Sequence, residues 1–161
     1  MNNYFKDISK IQFGGKEDNN PLSFKYYNEN QVVLGKPMKD QLRFATCYWH
    51  TFTWPGLDPF GGPTFDRPWM KAGNSIEMAE LKLEEAFDFF TKITTPYFCF
   101  HDRDISPEGQ SYAETQKNFH HIVDLMEKKI KDTGVKLLWG TANAFSHKRY
   151  MGGASTNPDP E

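Results

Sequence analysis

Pro96-Tyr97-Phe98-Cys99-Phe100-His101-Asp102-Arg103-Asp104 is the stretch that decides the reading of this chain. Its Tyr, Phe, Cys and Phe form an uncharged run with no apolar/polar alternation, which predicts a strand buried on both faces, as a parallel sheet requires. Polarity returns only at the C-terminal end of the run. There a histidine is followed three residues later by an aspartate, close enough to orient an imidazole for proton transfer.

Two further strands are predicted around it. Leu42 to Trp49, ending in His50-Thr51-Phe52, forms the first, and Val135 to Trp139, ending in Gly140-Thr141-Ala142-Asn143, forms the third. Helices separate them. Asn74-Ser75-Ile76-Glu77 resembles a capping box and opens a helix with Ile76, Leu83, Phe87, Phe90 and Ile93 on one face and Glu77, Glu80, Lys82, Glu84 and Glu85 on the exposed one. Ser111-Tyr112-Ala113-Glu114 opens a second, with Phe119, Ile122, Val123, Met126 and Ile130 facing inward and Gly134 as its left-handed stop.

Strands separated by helical crossovers make a parallel sheet and an α/β architecture. Residues 1–41 read as an irregular arm that wraps other structure, and 42–161 as the first part of a (β/α)8 TIM barrel. Three strands cannot close such a barrel, which takes roughly 200–400 residues, so the chain reads as the N-terminal arm plus the first three strands and two helices of a larger protein. In that architecture active sites lie at the C-terminal ends of the strands, which is where His101 falls.

Composition narrows the class of function. With 38% hydrophobic and 16% aromatic residues the chain has the material for a packed core. A formal net charge of −2 and a pI near 6.2, with acids and bases interspersed, give no basic stripe to neutralise phosphates, so nucleic acid is not an expected partner. No window approaches the roughly 18 apolar residues of a membrane span, and the start lacks a signal-peptide core; a cytoplasmic location is the expectation. Cys47 and Cys99 lie in predicted strands without a CxxC partner and read as buried, reduced thiols rather than as a disulfide or a structural zinc site.

The loop after the first strand is rich in Pro and Gly yet carries Trp54, Phe60, Phe65 and Trp69. So many aromatics need a cover. His101 with Asp104, taken as residues alone, reads equally well as a proton-transfer pair or as a core histidine with a structural carboxylate, and His101, Asp102 and Asp104 also suit a metal ion. His120 and His121 are adjacent on one helix, so at most one faces the sheet.

Four motifs in register, Cys47-Tyr48-Trp49-His50-Thr51-Phe52, Asp58-Pro59-Phe60-Gly61-Gly62-Pro63-Thr64-Phe65-Asp66-Arg67-Pro68-Trp69, Phe98-Cys99-Phe100-His101-Asp102-Arg103-Asp104 and Leu138-Trp139-Gly140-Thr141-Ala142-Asn143, together resemble the xylose isomerase family. The likeness runs across the whole chain, arm included, and is closest to the longer-chain subgroup. It implies a TIM-barrel enzyme interconverting D-xylose and D-xylulose by ring opening and a metal-assisted hydride shift. Two divalent cations, Mg, Mn or Co, are implied as cofactors. By motif, His101 and Asp104 are the implied catalytic pair for ring opening, and Trp49, Phe60, Thr141 and Phe145 are the implied substrate-binding residues. The implied partners are the sugar, D-xylose with D-glucose as a second candidate, and further copies of the chain in a homotetramer in which Phe60 enters a neighbouring subunit's site. The family's metal ligands and catalytic lysine lie on later strands, so no metal ligand is assigned here and the chain alone is expected to be inactive. The alternative reading is a non-catalytic barrel fragment with only a structural, associating role.

Overall fold

The computed structural model describes residues 4–71, 75–144, 147 and 150–158. Its centre is a three-stranded sheet in the order β3 (Ala45–Cys47), β4 (Tyr97–His101), β5 (Lys136–Thr141), parallel throughout. Before it come the two-residue strands β1 (Val32–Val33) and β2 (Lys36–Pro37), an antiparallel hairpin, and a single helical turn, α1 (Met38–Gln41). The crossovers carry α2 (Ser75–Lys92) between β3 and β4, and the short α3 (Asp102–Ile105) with the long α4 (Tyr112–Thr133) between β4 and β5. Parallel strands with helical crossovers are thus present; among the described residues the sheet is open and closes no barrel.

Both helices cover one face of the sheet. Phe87 and Phe90 of α2 meet Phe98 of β4 at ring-centroid distances of 5.3 and 5.4 Å, and Leu83, Ile122 and Met126 complete the buried cluster. Ser111 caps α4 by accepting from the Glu114 backbone N–H at 3.2 Å, and the Glu114 carboxylate accepts in turn from the Gln110 N–H at 2.7 Å. Gly134 closes the same helix at φ 74°, its N–H bonded to the Ile130 carbonyl. Asn74, the expected cap of α2, lies outside the described residues.

The strand boundaries depart from expectation at both flanks. The first strand stops at Cys47 because the backbone turns helical at Tyr48, and Trp49–Thr53 form a π-turn. That turn sends Tyr48 and Phe52 into the core and leaves Trp49 beside the strand ends. The third strand runs two residues further than expected, because Gly140 and Thr141 stay paired with Phe100 and His101. Gly140 is required there: a Cβ would lie 3.0 Å from two carbons of the Phe100 ring.

Two residues assigned to the solvent face of α2 are buried. Lys82 is 7% and Glu85 3% exposed, because the π-turn covers the first and the arm covers the second. The Tyr4 N–H donates to Glu85 Oε2 at 3.1 Å, Lys92 donates to the Phe5 carbonyl, and Phe5 packs on Phe89 at 5.6 Å. Tyr4 and Phe5 thus lie against α2. The cover for the loop aromatics is partly internal as well: Trp69 is buried against Phe52 and Tyr4, with its indole N–H donating to the Phe52 carbonyl at 2.9 Å. Trp54 and Phe65 meet edge-to-face at 5.6 Å. Both cysteines are free, Cys99 buried and Cys47 half-buried, and they face each other in the β3–β4 register.

Candidate active site

The C-terminal ends of three neighbouring strands bring three segments together. His101 closes β4, Thr141 is its register partner at the end of β5, and Trp49 follows β3 on the π-turn. The Trp49 ring lies 4.7 Å from the His101 ring and 5.4 Å from Trp139, which is itself 6.0 Å from His101. These rings stand on the sheet face opposite α2, because side chains alternate along β4 and the Phe98 and Phe100 rings point toward the helices. Trp139 joins this wall through the register shift that sets it opposite Cys99, which the strand pattern alone does not show.

Asp104 grips His101 twice. Its Oδ2 accepts from the His101 backbone N–H at 2.9 Å and lies 2.9 Å from Nδ1. A carboxylate only accepts, so the proton on Nδ1 points to Asp104 and exchange with a ligand falls to Nε2. The single turn of α3 makes this possible by folding residue 104 back over the strand end. Asp102 instead ties the two strand ends together: its Oδ1 accepts from the Asn143 and Arg103 N–H groups, both at 2.8 Å.

Beneath this pair lies a buried polar layer. Lys82 Nζ donates to Thr53 Oγ1 at 3.4 Å, and that hydroxyl donates to the Asp104 carbonyl at 3.3 Å. Burial pulls the Lys82 ammonium down to about 8, with Asp104 opposing the fall. The Tyr48 hydroxyl is pushed up, first by burial and then by the Asp104 charge, and has no hydrogen-bond partner among the described residues. The Cys99 thiol is pushed up by burial, then by Cys47 and Asp104.

The remaining site residues stand apart. Phe60 occupies the tip of the Asp58–Gly61 turn, its N–H bonded to Asp58 Oδ1 at 2.7 Å, and is 97% exposed. Phe145 lies outside the described residues. A groove of about 970 Å³ runs beside β5 and is lined by Phe100, Asp102, Arg103, Tyr112, Thr141 and Asn143, but not by His101 or Trp49. His50 sits against Cys47 and Trp54, and on α4 both His120 and His121 are exposed, the latter tied to Glu80 at 2.6 Å. Among the described residues no three His, Cys, Asp or Glu side chains converge as a metal site, so these residues do not by themselves fit the two implied cations. No helix among them is long and apolar enough to cross a membrane.

No family model matches the chain. Individual relatives do. It is 58% identical over 161 residues to a xylose isomerase of Photobacterium profundum, covering all of this chain and 37% of that protein. The xylose isomerase of Allorhizobium ampelinum is 60% identical over 158 residues, 98% of this chain and 36% of that protein. That of Roseobacter denitrificans is 55% identical over 161 residues, again 37% of its length. The chain thus spans little more than a third of the relatives it matches. Identity of this order along the entire sequence makes the chain a homologue of the N-terminal part of these xylose isomerases.

Proposed function

We propose that this chain supplies the ring-opening pair and part of the sugar pocket of a TIM-barrel aldose–ketose isomerase acting on D-xylose. Opening the cyclic hemiacetal breaks the C1–O5 bond: a proton leaves the C1 hydroxyl and one arrives at O5, giving the aldehyde. His101 moves that proton at Nε2, a task suited to an imidazole, which titrates near neutral pH. Asp104 keeps the proton of Nδ1 in place and the ring in one orientation. Trp49 forms the apolar wall and Thr141 lines the β5 side, with Phe145 a further substrate-binding residue by motif. The observation that carries this reading is the 2.9 Å contact between Nδ1 and Asp104 at the end of a parallel strand, against an aromatic wall.

The family's two divalent cations would supply polarisation of the opened sugar, with ligands from outside these residues; no step described for this chain passes through them. Phe60, exposed at the tip of its turn, reaches a neighbouring copy's site in a homotetramer, each subunit lending and borrowing one ring.

The test is His101→Asn in a full-length isomerase carrying this sequence, assayed on cyclic D-xylose and on a three-carbon aldose that cannot close a ring. The expected result is a loss of about 10²–10⁴-fold on the cyclic sugar and little on the acyclic one. Equal loss on both substrates would overturn the ring-opening role.

A further inference from the structure

Lys82 has no role in the chemistry derived above, yet its position is costly. It lies in the middle of α2, where a lysine ordinarily extends its head to water, and is instead 7% exposed. Its ammonium forms no contact ion pair among the described residues; its neighbours are the Thr53 hydroxyl at 3.4 Å and the Tyr48 ring, 6.0 Å to the centroid. Burying a charge so thinly partnered opposes folding, and an apolar side chain of similar volume serves stability at least as well. A reason other than stability is needed.

The layer around it points in one direction. Thr53 takes the hydrogen bond of Lys82 and passes its own to the carbonyl of Asp104, the residue that grips His101. The Asp104 charge favours the charged form of Lys82 against the effect of burial, and it also raises Tyr48 and Cys99. The titratable groups facing this layer are thus Tyr48 from the π-turn, Cys99 from β4 and Asp104 with His101 from the strand end. Lys82 adds a buried ammonium to this layer, one hydroxyl away from the Asp104 backbone carbonyl.

We propose that Lys82 is a positioning residue for the His101–Asp104 pair: its buried ammonium, held through Thr53, supplies the countercharge that keeps the Asp104 carboxylate on His101 Nδ1. This rests on the ring-opening reading of His101. Without the ammonium, the buried carboxylate faces Tyr48 and Cys99 with no opposing charge beneath it, and its hold on one imidazole tautomer weakens.

The experiment compares Lys82→Met, Lys82→Gln and His101→Asn with the parent in the full-length isomerase. Turnover is measured on cyclic D-xylose and on the acyclic three-carbon aldose, and thermal melting is followed from pH 7 to pH 9. Both Lys82 variants are expected to lose about 10–100-fold on the cyclic sugar, by analogy with the range for outer partners of metal-bound histidines, and less than about twofold on the acyclic one. Lys82→Met is further expected to melt no lower than the parent at pH 7 and to lose the parent's gain in stability above pH 8. Parent-like turnover of cyclic sugar in either folded variant overturns the proposal, as does equal loss on both substrates, or a variant that loses activity only through a lowered melting temperature. If His101→Asn shows no preference for the cyclic sugar, the ring-opening reading itself fails. If His101→Asn shows that preference and the Lys82 variants do not, the positioning role alone falls.

Discussion

Asp104 Oδ2 meets both the backbone N–H and the Nδ1 of His101 at 2.9 Å, so one buried carboxylate oxygen fixes the strand end and the imidazole together. Backbone and side chain of the same histidine therefore share one anchor. Asp104→Asn tests what the charge adds: the amide oxygen still accepts one bond, but the amide nitrogen donates and disfavours the tautomer described above. Turnover of cyclic D-xylose by the full-length isomerase is expected to fall, by less than for His101→Asn. An Asn variant with the parent's rate on cyclic sugar would show that the carboxylate is only structural.

Phe60→Ser separates folding from association. The ring is 97% exposed and its turn is held by the Asp58 carboxylate, so removing it costs the monomer's fold almost nothing. Subunit assembly and sugar affinity are expected to weaken together. Sedimentation and a binding isotherm on the full-length protein check this, and parent-like values in both would exclude a shared site.

Gly140→Ala probes the join between β4 and β5. The new Cβ would sit 3.0 Å from the Phe100 ring, which is buried under the helices and has little room to yield. Overpacking of this kind costs about 1–3 kcal/mol. Urea denaturation is expected to show a loss in that range, and Thr141, one residue on, is expected to shift against His101.

The anchor of the arm depends on pH, and acid favours it. Glu85 is 3% exposed, and its carboxyl is raised above the usual range, chiefly by burial, while the Tyr4 N–H bond opposes the shift. A carboxyl raised in the folded state binds its proton more tightly there than in the unfolded chain. Its contribution is therefore fully present below the ordinary value of 4.5 and is lost as pH rises through the folded value. Glu85→Gln keeps an acceptor for Tyr4 without the charge, so stability at neutral pH is expected to rise and its decline just above pH 4.5 to flatten. Thermal melts across that interval, compared between parent and variant, check the sign.

Lys82 gives the opposite slope on the alkaline side. A lysine lowered from 10.5 to about 8 binds fewer protons folded than unfolded between those values, so stability climbs as pH rises from 8. Cys99 and Tyr48, both raised, reverse the trend above about pH 9, since their unfolded forms ionise first. The parent is thus expected to reach its alkaline maximum near pH 9 in denaturation experiments, and a monotonic fall from pH 8 would contradict the buried ammonium.

Local sequence determined a good deal of this chain. The uncharged run Tyr97–Phe100 marks β4 because a strand covered on both faces has no polar side, and its limits are those of the apolar run plus His101. Ser111 and Gly134 fix the ends of α4 because a cap and a left-handed stop are properties of a few adjacent residues. The His101–Asp104 contact is similarly local, three residues apart. Tertiary structure decided what depended on distant segments. The pattern of α2 assigns Lys82 and Glu85 to solvent, and only the π-turn and the N-terminal arm, folding over the two edges of that helix, bury them. The loop pattern gives no sign that Trp69 belongs to the core while Phe60 stands in water, because that depends on which surface lies within reach once the sheet and α2 have formed. Trp139 comes within 6.0 Å of His101 through a register shift between β4 and β5, and register is a property of the strand pair, set by packing across both.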